Sequence, residues 1–170
     1  MHENSGLLAH GLAVRIAFTR PEARRLYAAG GGLPAPATAH SAGIDLRACM
    51  NAPEWAAAGA RIPAGGRLAV PTGLSVQPAV PGWAGFVYSR SGLGARDGLT
   101  VAQGVGLIDP DYTGEICVYL LNTSAEARLV RHGERVAQLV FQPYARPAWE
   151  EVPALSPTAR GAGGFGHTGR

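Results

Sequence analysis

The chain has 170 residues, 46% of them hydrophobic and 16% charged, with a formal net charge of +3. That length suits one ordinary domain, able to bury roughly 70% of the surface its unfolded chain would expose. So little charge excludes disorder throughout, and the lack of any apolar run of about eighteen residues excludes a membrane-spanning helix.

The first twenty residues carry no compact apolar run with a cleavage site, so a soluble cytoplasmic protein is expected. All 15 basic residues are arginines, a side chain suited to two-pronged recognition of phosphate. They form no basic run and do not interleave with aromatics, so neither nucleic acid nor membrane is an expected partner. Cys49 and Cys117 have no metal-type spacing and lie in apolar segments, which predicts buried free thiols.

The 24 glycines and 13 prolines cut the chain into short pieces. In chain order, strand-length apolar runs fall at 13–18, 44–48, 68–70, 74–77, 85–88, 99–101, 116–121 and 137–143. Turn signals such as Pro71-Thr72-Gly73 and Pro81-Gly82 bound them. Helix is expected only at 21–27 and for a single turn after Ser91. Many short strands at close spacing predict an all-β sandwich or jelly roll. Residues 53–66 read as a surface loop. The glycine-loaded stretch 156–170 reads as a disordered end or as an arm that orders on a ligand.

Five segments carry chemistry. Ala42–Ala48 holds Asp45 between Ile44 and Leu46, where an unpaired carboxylate is costly to bury. A pair with Arg47 on an exposed strand face would explain it equally well. In 88–94, Arg90-Ser91-Gly92 sets a guanidinium, a hydroxyl and an open backbone side by side, suited to phosphate oxygens or to a plain capped turn. Segment 103–115 suggests a hairpin closing on a small planar group through its main chain. Asp109-Pro110-Asp111-Tyr112 sits at its tip, and is also what an ordinary turn requires. Segment 133–139 places Gln138 among apolar residues. Segment 160–169 sets Arg160, Phe165, His167 and Thr168 among glycines, as a lid would need for charge and stacking.

In order and spacing, 42–48, 90–94, 104–114, 133–138 and 160–169 resemble the five motifs of the trimeric dUTP pyrophosphatase (dUTPase) family. The resemblance implies a distorted jelly-roll β-barrel over 33–155. A first strand in 1–32 would precede it, and a flexible glycine-rich arm at 156–170 would close over the site. It implies a homotrimer whose active sites lie at subunit contacts. The activity implied is Mg²⁺-dependent hydrolysis of dUTP to dUMP and pyrophosphate, which keeps uracil out of DNA and supplies dUMP for thymidylate synthesis.

By the same resemblance Asp109 deprotonates the attacking water, and Tyr112 packs on the deoxyribose so that a 2′-hydroxyl is refused. Gln103, Leu107, Ile108 and Cys117 belong to the uracil-binding arms, mainly through their backbone. Arg90, Ser91, Gly92 and Gln138 are implied phosphate contacts. Arg160, Phe165, His167 and Thr168 are implied arm contacts, with Phe165 over the base. Asp45 would reach Mg²⁺ through water or order the arginines. Gln103 stands where bacterial relatives often have Asn, and His167 where Ser is commoner.

The alternatives are a dCTP deaminase on the same fold and a nucleotide-binding module without catalysis. Deamination needs a glutamate on the strand after the hairpin, where this sequence has Tyr119 and no carboxylate among 116–121.

Overall fold

The computed structural model describes residues 11–28, 32–50, 55 and 58–164. The first elements are β1 (Val14–Phe18), α1 (Ala23–Leu26), β2 (Ile44–Arg47), β3 (Ala60–Ile62), β4 (Arg67–Pro71) and β5 (Leu74–Pro78). Next come β6 (Trp83–Tyr88), a wide helical turn (Gly92–Asp97), β7 (Leu99–Val101) and β8 (Val105–Ile108). The last are β9 (Cys117–Asn122), β10 (Arg128–Val130) and β11 (Arg135–Pro143). Every expected strand is present, and both helical segments fall where the sequence placed them. No helix among the described residues is long and apolar enough to cross a membrane.

The strands pair antiparallel in the orders β2-β11-β6-β8, β4-β9-β7, β1-β5 and β3-β10, and wrap as a distorted jelly roll around one core. Inward positions alternate with outward ones, as a half-buried strand requires. In β9, Val118 and Leu120 are buried while Cys117 and Tyr119 face out. Leu46, Ile62, Leu74, Ile116 and Leu120 are fully buried together. Each contributes about 1.5–3 kcal/mol by leaving water.

β3 was not expected, because it falls inside the stretch read as a loop. Ala60 and Ile62 point inward, Arg61 outward, and all three residues pair with β10. Buried Asn122 secures this corner. Its Nδ2 donates to the carbonyls of Ile62 at 3.0 Å and Glu126 at 2.7 Å, while its Oδ1 accepts from the Ser124 N–H at 3.0 Å. A buried amide left unsatisfied would cost about 1–3 kcal/mol.

β11 is the spine of the larger sheet. It sets Gln138 opposite Asp45 on β2 and opposite Tyr88 on β6. A register shift between Arg135 and Ala137 bends the strand beside β2. At the turn between β4 and β5, Gly73 has φ 73°. A Cβ there would also strike the side chains of Ala23 and Cys49, so only glycine fits.

Candidate active site

β8 and β9 follow one another in sequence but lie in different sheets. β8 pairs with β6, and β9 with β4 and β7. The two arms of segment 103–115 and its continuation are therefore splayed, with room for a group between them. Among the described residues β8 has one partner strand. β7 covers β9 only from Asn122 back to Leu120, with one further bond from the Ala102 N–H to the Tyr119 carbonyl. The free edge of β8 thus faces the start of β9 at Cys117 and Val118 across a cleft of about 420 Å³. Unpaired main-chain donors and acceptors on both walls suit a small planar heterocycle with amide-like edges.

Gly106 lets β8 lie close to β6, since a Cβ there would come within 3.2 Å of Val87 and 3.3 Å of the Gln103 amide nitrogen. Leu107 and Ile108 continue the wall. At its mouth, Asp109 opens a tight turn closed by the Tyr112 N–H donating to the Asp109 carbonyl at 3.1 Å. Pro110 supplies the fixed φ such a turn favours at its second residue. The Asp109 carboxylate is exposed at the rim. The Tyr112 hydroxyl donates to the Glu115 carbonyl at 2.9 Å, and its ring lies where a Cβ on residue 114 would be. Gly114 is thus what lets the ring lie flat.

The second cluster gathers at the other end of β6. Arg90 Nε donates to Asp45 Oδ1 at 2.8 Å, and Arg135 donates to Oδ2 at 3.1 Å. Asp45 is therefore held by two guanidinium groups and not by Arg47, which donates instead to the Gly133 carbonyl at 2.9 Å. Gln138 Nε2 donates to the Ser89 carbonyl at 3.0 Å, and its Oε1 lies so close to Gly43 that any Cβ there would collide. Three of the sequence segments thus meet through Asp45, Arg90 and Gln138. Ser91 is exposed with its hydroxyl making no cap bond, and the space beside Gly92 is open.

Arg135 and Gly43 were not singled out from sequence. A strand-interior Asp was the available signal, because a carboxylate there needs a partner.

Within the chain these clusters are far apart. Asp109 follows Ile108, which pairs with Gly85, while Arg90 lies beyond Tyr88. Six residues of chain, the last two beyond the end of β6, separate the two levels, at most about 20 Å at the usual rise. The tail does not join either cluster in its described part. Arg160 is exposed, and its Nε donates to the Gly163 carbonyl at 2.8 Å. Phe165, His167 and Thr168 lie outside the described residues.

One of the two free thiols differs from expectation. Cys49 is buried, and burial pushes its thiol up to about 12. Cys117 is exposed and lines the cleft, because outward positions of β9 face it. Burial pushes the Cys117 thiol up as well, which slows it, so a thiol-specific chromogenic reagent should titrate one cysteine of the folded chain at a moderate rate and the second only after unfolding. Two fast thiols in the folded protein would contradict the placement of Cys49.

A family model described as dUTPase matches residues 31–169. The chain belongs to the dUTPase family. A deoxyuridine 5'-triphosphate nucleotidohydrolase of Psychrobacter cryohalolentis is 48% identical over 139 residues, 81% of this chain and 86% of that protein. Among solved structures, a mutant dUTPase of Staphylococcus bacteriophage 80alpha with dUpNHpp matches with a TM-score of 0.75 at 20% identity. That match covers 93% of this chain and 99% of the other. The dUTPase from Streptococcus mutans matches with a TM-score of 0.62 at 27% identity, over 81% of this chain and 99% of its own. The dUTPase match runs from before Asp45 to beyond Arg160, so it takes in all five segments.

Proposed function

We propose that this chain hydrolyses dUTP to dUMP and pyrophosphate, with Asp109 as the base that takes a proton from the attacking water. The observation that carries the proposal is the splayed β8–β9 cleft with Asp109 at its mouth. A uracil edge can pair with main-chain groups of the Gln103–Ile108 side and of Cys117, while Tyr112 lies at the rim for the sugar. Water then attacks the α-phosphorus in line, its proton passes to Asp109, and pyrophosphate leaves. The name of the Psychrobacter relative supports the same substrate. Tyr119 faces the cleft where a deaminase would need a carboxylate.

Arg90, Ser91, Gly92 and Gln138 are proposed to receive the phosphates. Because Arg90, Ser91 and Gly92 stand about 20 Å along the chain from the level of Asp109, a single triphosphate does not bridge them within one chain. A closed homotrimer that sets one subunit's cleft beside its neighbour's arginine cluster resolves this. Trp149 and Leu155, 90% and 88% exposed, are apolar surface of the kind that assembly covers. The arm would then bring Arg160, Phe165, His167 and Thr168 over the bound nucleotide.

Mg²⁺ is proposed to be carried on the triphosphate. Among the described residues no group of three carboxylate, histidine or cysteine side chains could hold a metal unaided. Each Asp45 oxygen accepts from one arginine and keeps a lone pair for a water on the cation. When bound, the cation would neutralise charge on the phosphates.

The test is to incubate the protein and Mg²⁺ with each dNTP and with UTP, then identify the products. Pyrophosphate and dUMP from dUTP alone are expected. Ammonia from dCTP, or no turnover of dUTP, would overturn the proposal.

A further inference from the structure

We propose that the Arg20–Glu115 ion pair is the positioning device for Tyr112, and that it sets how strongly ribose is refused relative to deoxyribose. This rests on the reading of Tyr112 as the sugar contact.

Glu115 stands where the loop after Tyr112 enters β9. Its Oε1 accepts from Arg20 Nε at 2.7 Å and from the Gly73 N–H at 2.7 Å, and its Oε2 accepts from Arg20 at 3.0 Å. The carboxylate is thus gripped by a two-pronged guanidinium and a backbone donor, anchoring it to the end of β1 and to the β4–β5 turn. Two-pronged, partly buried pairs are stronger and more directional than ordinary surface pairs. Burial pushes the Glu115 carboxyl up, but Arg20 and the Gly73 N–H outweigh it and leave it below the usual glutamate range. The pair is therefore charged at neutral pH.

The carbonyl of the same residue accepts the Tyr112 hydroxyl at 2.9 Å. A chain of contacts therefore runs from Arg20 through the Glu115 side chain, at the edge of the cleft, to its carbonyl and on to the Tyr112 ring. The rest of the loop is held differently. Ser75 Oγ donates to the Thr113 carbonyl at 2.8 Å and Gln77 to the Pro110 carbonyl at 3.3 Å, while the Ile116 N–H reaches Leu74 at 2.7 Å. These bonds hold the Asp109 turn to β5 without Glu115. The Glu115 carbonyl shares its planar peptide with the Ile116 N–H, so loss of the ion pair removes one of its two anchors and should loosen the Tyr112 ring while leaving Asp109 in place.

The experiment compares kcat/KM for dUTP and UTP in Arg20→Ala, Glu115→Ala, Glu115→Gln, Tyr112→Phe and Tyr112→Ala. Relative use of UTP should rise on the order of tenfold in the two alanine variants of the pair, the scale of a shape-based selection. Their kcat for dUTP should be retained. Glu115→Gln keeps an oxygen for the Gly73 N–H and should fall between them and the parent. Tyr112→Phe, which loses only the hydroxyl bond, should move the same way. If Tyr112→Ala still refuses UTP, the sugar reading itself fails. If Tyr112→Ala admits UTP while every folded variant of the pair keeps the parent ratio, the ion-pair inference is overturned and the sugar reading stands. Thermal unfolding identifies the folded variants, and Glu115→Gln and Arg20→Lys decide the matter if both alanine variants fail to fold.

Discussion

Replacing Asp109 by asparagine is expected to lower kcat by about two orders of magnitude or more, the scale of losing a general base. Nucleotide affinity should stay within about tenfold, because the change removes proton acceptance and little binding. The substitution is conservative for the turn. The Asp109 carbonyl, not its side chain, accepts the Tyr112 N–H, and asparagine is itself favoured in turns. An amide can still orient a water, but it cannot take the proton. Steady-state kinetics with dUTP, beside titration with a non-hydrolysable analogue, separate the two effects. A kcat within tenfold of the parent would remove Asp109 from the role of base.

The second large effect is a recovery. Asp109→Asn and Arg90→Gln should each be nearly inactive alone, yet subunits of the two mixed within one trimer should regain activity. If a site draws its base from one chain and its phosphate cluster from another, random equal mixing leaves about a quarter of sites with both halves intact. The Arg90 variant leaves Asp45 paired with Arg135 at 3.1 Å, so the β2–β11 edge should survive. Co-refolded mixtures of confirmed trimer size, assayed against each variant alone, give the answer. No recovery would mean that each chain serves its own site, against the separation of about 20 Å along β6 and the two residues beyond it.

What could be read in the sequence was what local periodicity and turn chemistry determine. The apolar run 116–121 foretold a strand there, and Asp-Pro-Asp-Tyr foretold the turn at 109–112. Local signals do not choose partners across the chain. Asp45 sits 45 and 90 residues from Arg90 and Arg135, so its neighbour Arg47 was an equally fair candidate until the sheet order was known. The same holds for the segment 103–115. Its composition suggested arms closing on a planar group, but not that β8 would pair with β6 and β9 with β4 and β7 to hold those arms apart.

Short strands are the other blind spot. β3 has three residues, two of them buried, too few for an alternating pattern to stand out from its alanine-rich surroundings. Cys117 lies in an apolar run and still faces out, because position along a strand, not local hydrophobicity, decides which face it takes. The contact from Arg20 to Glu115 spans 95 residues, and nothing near either residue announces it.

In the proposed reaction, water attacks the α-phosphorus of dUTP. Hydrolysis run in ¹⁸O-labelled water locates the attack by mass spectrometry of the products. The prediction is label in the phosphate of dUMP and none in pyrophosphate. Label appearing in pyrophosphate would place the attack elsewhere on the triphosphate and contradict the mechanism.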